Sequence, residues 1–136
     1  MLQLAEFMIT HKSWWDTVDL VATKIAGTAL SASPELIPAY ADRWISSENI
    51  WLNRSALLFQ LKFKKATGTN LLFSYILKCA SMHEFFIRKA IGWALREYSK
   101  TTPDLVRTFV ESQKLSPLSR KETLKILAKR SDDQTD

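Results

Sequence analysis

The sequence predicts an all-α protein of stacked helical hairpins, a helical-repeat solenoid (an α-α superhelix), and three observations predict it. Turn formers are scarce, with three glycines and four prolines in 136 residues. No segment alternates polar and apolar residues as a half-buried strand does; apolar residues recur instead at three- and four-residue spacing. Helix pairs begin near Ser13, Ser47 and His83, about every 35 residues, the period of stacked hairpin repeats. Ile50-Trp51-Leu52-Asn53-Arg54-Ser55 aligns loosely with Phe85-Phe86-Ile87-Arg88-Lys89-Ala90. Bundles recur at such lengths by chance, but here one helix of each pair carries the unusual polar and aromatic residues. Residues 1–130 are expected to form one domain and residues 131–136 a frayed polar tail.

The elements follow in order. Met1–Thr10 reads as the end of a helix. Ser13 followed by Asp16 has capping-box character and opens a helix to about Leu30. Ser33-Pro34-Glu35 starts the next, to Trp44, with Pro38 either kinking it or moving its true start later. Ser47 is expected to cap a long helix to about Ala66, ended near Gly68, and Thr69 opens another to Ala80. Ser81 with Glu84 forms a second capping box, for a helix to about Lys100. Thr102-Pro103-Asp104 begins a helix to about Gln113, and Ser119 with Glu122 caps a last one to about Arg130.

Composition narrows the function classes. The lone cysteine, Cys79, excludes an intramolecular disulfide, reads as a buried small hydrophobe and fits a reducing cytoplasm. No stretch is long and apolar enough to span a membrane, and Met1–Lys12 lacks the basic start of a signal peptide. His11 and His83 have no HExxH or cysteine company, so no metal site is expected. The net charge of +5 is uneven: −2 over residues 1–46, +6 over 47–100 and +1 over 101–136. A basic middle points to a polyanion, nucleic acid before membrane.

The candidate residues sit on helix faces. Trp14, Val18, Val21 and Ile25 form an apolar stripe; Trp15 and Asp19, four apart, share the next stripe, followed by Ala22 and Ala26. Trp15 packing and Asp19 pairing with a lysine would account for them without function. In the helix from His83, Ile87, Ile91, Ala94 and Tyr98 make a core stripe, and nearly opposite lie Lys89, Trp93, Arg96 and Lys100. An indole among three cations suits a surface that grips phosphates and touches sugar or base; cations covering an exposed indole is the other reading. Arg54 interrupts the apolar stripe of Ile50, Leu57 and Leu61, which pre-positions its guanidinium for a buried acid such as Asp42 or for a bidentate phosphate.

Ser-Trp-Trp-Asp-Thr-Val-Asp (13–19), Asn-Ile-Trp-Leu-Asn-Arg-Ser-Ala (49–56), the stretch from Glu84 to Lys100, and Leu115-Ser116-Pro117-Leu118-Ser119-Arg120 together resemble the AlkD-type DNA alkylation repair family, in order and over almost the whole chain. The resemblance implies a HEAT-like solenoid that clamps double-stranded DNA and a monofunctional glycosylase acting on cationic N3- and N7-alkylated purines without a cofactor. It implies Asp19 as the catalytic aspartate, Trp15 and Trp93 as indoles against the DNA, and Arg54 as a phosphate contact; Lys89, Arg96 and Lys100 rest on the helix face alone. A cationic purine leaves as a neutral base, so one carboxylate that stabilises an oxocarbenium-like sugar and positions water suffices. The family is thought to leave the lesion stacked rather than flip it. Asp19→Asn is accordingly expected to spare folding and DNA binding. The family also has more helices before the Trp-Trp-Asp motif, so a fragment, a truncated product or a shortened member is expected, which self-associates through an uncapped N-terminal end or is marginally stable. A non-catalytic DNA-binding solenoid and a protein-interaction scaffold are the alternatives.

Overall fold

The computed structural model describes residues 2–11, 14–113, 115–121 and 123. The fold is all-α and HEAT-like, with no strand among the described residues. The chain divides into two compact units, Met1–Cys79 and Ala80–Asp136.

In the first unit, α1 (Leu2–His11) buries Leu2, Ala5 and Ile9 and leaves Leu4 and Phe7 exposed. Next comes one continuous rod: α2 (Trp15–Leu20), a π-helical stretch (Val21–Ala26) and α3 (Gly27–Ala32). Trp14 caps it in an extended conformation without a side-chain bond, and the Asp16 carboxylate accepts from the Thr17 amide at 2.9 Å. The other half of the expected capping box, Ser13, lies outside the described residues. The expected stripe is half right. Val18 and Val21 are buried, but Trp14 is 73% exposed and Ile25 only half-buried. Trp14 is the extended cap and lies outside the helix, while at Ile25 the extra residue of the π turn rotates the buried face onto Ala22, Ala26 and Leu30. Ala22 and Ala26, on the stripe of Trp15 and Asp19, are therefore core.

Pro34–Leu36 forms a 3-10 turn and α4 (Ile37–Ile45) begins after it, so Pro38 sits in the first turn and moves the start rather than kinking the helix. Buried Trp44 donates from Nε1 to Glu6 at 2.6 Å, and Arg43 pairs with the same carboxylate, tying α4 to α1. The helix α5 (Ile50–Leu58) corrects two expectations. Asn49, not Ser47, is its cap, accepting from the Trp51 amide at 2.8 Å. It also ends at Leu58 rather than Ala66: the chain tightens through i→i+3 bonds into a 3-10 turn at Lys64–Ala66, and Lys64 takes a left-handed φ of 53°. Buried Asn53 donates to the carbonyls of Trp44 and Ser47, at 2.8 and 2.9 Å, locking the turn between α4 and α5. The last helix of the unit, α6 (Thr69–Cys79), buries Cys79 and sends the Tyr75 hydroxyl to Asp42 at 2.5 Å.

In the second unit, α7 (Phe85–Ser99) buries Ile87, Ile91, Ala94 and Tyr98 as expected. Its N-cap, Glu84, makes no side-chain bond, so the Ser81–Glu84 box does not form; the Glu84 carbonyl takes the amides of Ile87 and Arg88 instead. The following helix, α8 (Pro103–Ser112), packs on α7. Residues 117–121 are helical, which places Ser119 inside a helix rather than at its cap. Ser116 performs the capping, its hydroxyl accepting from the Ser119 amide, while Ser119 donates to the Arg88 carbonyl at 2.8 Å. Glu122 and residues 124–130 of that expected helix lie outside the described residues. The first helices of the three pairs start at Trp15, Ile50 and Phe85, 35 residues apart in both steps.

Two outcomes follow. A Cβ on Gly27 would lie 2.6 Å from the backbone oxygen of Phe59. Gly27→Ala should therefore lower stability by about 1–3 kcal/mol in urea unfolding despite alanine's helix propensity, because backbone must move. Burial, then the hydrogen bond to Asp42 and its charge, raise the Tyr75 pKa far above the ordinary 10.0. The folded state keeps that proton after the unfolded chain loses it, so this contribution is complete below about pH 10 and is lost as pH rises above it. The stability curve of Tyr75→Phe should fall less steeply above pH 10 than that of the parent.

Candidate functional site

Asp19 lies on the last turn of α2, immediately before the π turn, and Arg54 lies midway along α5; the two helices pack together. Arg54 Nε donates to Asp19 Oδ1 at 2.7 Å and Nη2 to Oδ2 at 2.9 Å, a bidentate fork. Arg54 is 3% exposed and Asp19 9%. The pair is thus nearly enclosed, but it is not symmetric: the carboxylate side chain keeps 12% of its surface and the guanidinium side chain 4%. Behind the carboxylate, the Asp19 carbonyl accepts from the Thr23 hydroxyl at 2.7 Å within the π turn. Both carboxylate oxygens are therefore fixed in plane and direction, with lone pairs left over for a ligand or water.

This corrects one expectation about Arg54. Its acid partner is Asp19 rather than Asp42, which takes the Tyr75 hydroxyl. Two of its three guanidinium nitrogens are engaged in holding Asp19. It also replaces the reading in which a lysine neutralises Asp19. The pairing was legible in principle: Asp19 and Arg54 are 35 residues apart, one repeat period, and so occupy equivalent positions on successive first helices.

Trp15 is the first residue of α2, one turn before Asp19. In the second unit, Lys89, Trp93 and Arg96 are half-buried and Lys100 is exposed, along the side of α7 away from its buried stripe. Lys100 Nζ pairs with Glu97 at 2.8 Å. Among the described residues no cluster of three His, Cys, Asp or Glu side chains could hold a metal ion, and no helix is long and apolar enough to cross a membrane.

The DNA alkylation repair enzyme family matches residues 1–127 of the chain. The chain belongs to this family. Among solved structures, a predicted DNA alkylation repair enzyme from Enterococcus faecalis superposes with a TM-score of 0.86 at 37% identity, over 95% of this chain. The chain spans 61% of that protein's length. No curated protein matches it. Family membership gives the enclosed Asp19–Arg54 pair a chemical context that a helical core alone would not.

Burial changes what substitutions should do. Removing one partner of an enclosed ion pair strands the other charge, at a cost of about 3–5 kcal/mol. Arg54→Ala should lose that much in denaturant unfolding. Asp19→Asn should also be measurably less stable than the parent, contrary to the expectation from sequence, because a neutral amide replaces the anion against a buried guanidinium.

Proposed function

We propose that the chain is, or forms part of, a DNA glycosylase that hydrolyses the N-glycosidic bond of cationic N3- and N7-alkylated purines in duplex DNA. The observation that carries this reading is the Asp19 carboxylate, held in a fixed plane by Arg54 yet retaining most of the surface the pair exposes, in a member of a DNA alkylation repair family. Alkylation places the positive charge on the purine before reaction, so the departing base takes the bonding electrons and leaves neutral. No acid is needed to protonate it. The charge that develops is on the deoxyribose, as an oxocarbenium-like cation, and an anion already oriented by a rigid partner stabilises it without reorganising. The same carboxylate orients a water for attack at the anomeric carbon and accepts its proton as the new C–O bond forms.

In this reading the remaining residues bind rather than react. Trp15 and Trp93 are assigned to contacts with the sugar and backbone of DNA, and Lys89, Arg96 and Lys100 to phosphates through Coulombic contacts that carry no sequence preference. Arg54 acts first as the residue that positions Asp19. A single buried cysteine, Cys79, suits work in the reducing cytoplasm.

The test is release of 7-methylguanine from methylated duplex under single-turnover conditions, at a temperature where circular dichroism shows each variant folded. Asp19→Asn should slow release by about 10²–10³-fold or more while still binding duplex. A folded Asp19→Asn that excises at the parental rate would make the carboxylate structural and remove the mechanism.

A further inference from the structure

One turn beyond Asp19 the rod of α2, the π stretch and α3 opens onto a groove of about 600 Å³, closed on its other side by the segment that follows α5. Two lysines line it from different segments, Lys24 from the π stretch and Lys62 from the turn after Leu58; Thr28, Ser31 and the ring of Phe63 complete the lining that a ligand would meet. No acid lines it. Among the described residues neither Lys24 nor Lys62 has an ion-pair partner, and both are exposed. Lys64 and Lys65, also exposed, extend the charge along the next 3-10 turn. The groove exists because Gly27 lets the rod approach the Phe59 carbonyl, which brings the end of α5 beside α3.

From this arrangement we infer that the Lys24–Lys62 groove is a binding track for the phosphodiester backbone of a DNA strand, continuing from the Asp19 site. The inference rests on the glycosylase reading for its partner but assigns residues that the reaction itself does not use. Charge and length support it. Two unpaired ammonium groups with two hydroxyl donors suit phosphate oxygens, and a half-buried ring beside them suits the apolar face of deoxyribose. From Asp19 to Ser31 the rod extends at most about 18 Å, taking the roughly 1.5 Å per residue of a regular α-helix, long enough to follow more than one phosphate where a lone anion would occupy one end. The Thr23 hydroxyl, already donating to the Asp19 carbonyl, ties the near edge of the groove to the backbone that carries the carboxylate. Backbone bound here would hold the duplex in register with Asp19 while reading no base.

The experiment measures binding of an unmodified 20-base-pair duplex between about 50 and 200 mM salt, with excision from methylated duplex followed on the same preparations. The proteins are the parent, Lys24→Gln/Lys62→Gln, Lys24→Arg/Lys62→Arg, and Lys78→Gln as a lysine outside the groove. Each lost phosphate contact lowers the salt slope by about 0.9. Over that salt range the parent should therefore lose about twelvefold more affinity than the double glutamine variant. The arginine pair and Lys78→Gln should keep the parental slope. A parental slope in the glutamine pair, or an equal fall in Lys78→Gln, overturns the groove and leaves the glycosylase reading intact. A reduced slope in the glutamine pair with no excision by the parent supports the groove and removes the glycosylase. A parent that binds no duplex overturns both.

Discussion

Everything distinctive about this chain depends on one enclosed ion pair, Asp19 with Arg54. Two charges withdrawn from water are costly to bury, and their mutual attraction offsets that cost only when geometry is good and the remaining valences are filled. Here the geometry is a planar fork on a planar carboxylate. A pair of leucines would hold α2 against α5 at least as well. The charged pair supplies a fixed anion at the edge of an apolar core, where developing positive charge would feel it more strongly than in water. In the proposed mechanism stability and chemistry draw on the same two side chains, so substitutions at either must be read for both.

The backbone around Asp19 is shaped to make that pairing possible. A π turn begins two residues after Asp19, and such turns are rare and concentrate at functional sites. Its extra residue rotates Ala22, Ala26 and Leu30 into the core, which lets α3 lie close enough to α5 for Gly27 to meet the Phe59 carbonyl. On the other helix, Asn53 bonds the carbonyls closing the turn from α4 and so fixes the rotation of α5 that aims the neighbouring Arg54 at α2. Small residues and a local hydrogen-bond irregularity set the distance; the charged residues fill it.

The fold was largely legible because its signals are repetitive. Apolar spacing, scarce turn formers and a 35-residue period are each spread over many residues, and the helix starts at Trp15, Ile50 and Phe85 reproduce the period. What was not legible is local. Ser47, Ser81 and Ser119 all look like caps, yet Asn49, the Glu84 backbone and Ser116 do that work. Several oxygen-bearing residues compete within each loop, and tertiary packing selects among them. The exposed Trp14 was misread because it is the extended N-cap rather than a helical residue, and the half-buried Ile25 because a straight-helix wheel cannot anticipate a π turn. For the site, residue types were readable but partners were not: Arg54 looked ready for an acid, and periodicity rather than proximity in sequence identifies it as Asp19. By the same period Lys89 follows Arg54, which places a cation at the equivalent position of the third pair.

The most direct test of this account is a double-mutant cycle on the pair, using Asp19→Leu, Arg54→Met and the two together, with denaturant stability and single-turnover excision of 7-methylguanine measured on each. Each single variant should be destabilised by several kcal/mol, on the order of that for any stranded buried charge. The double variant should recover most of that stability, because no unpaired charge remains, and excision should stay lost. A double variant whose destabilisation is the sum of the singles, or one that excises at the parental rate, would contradict the claim that this ion pair both holds the helices together and supplies the catalytic anion.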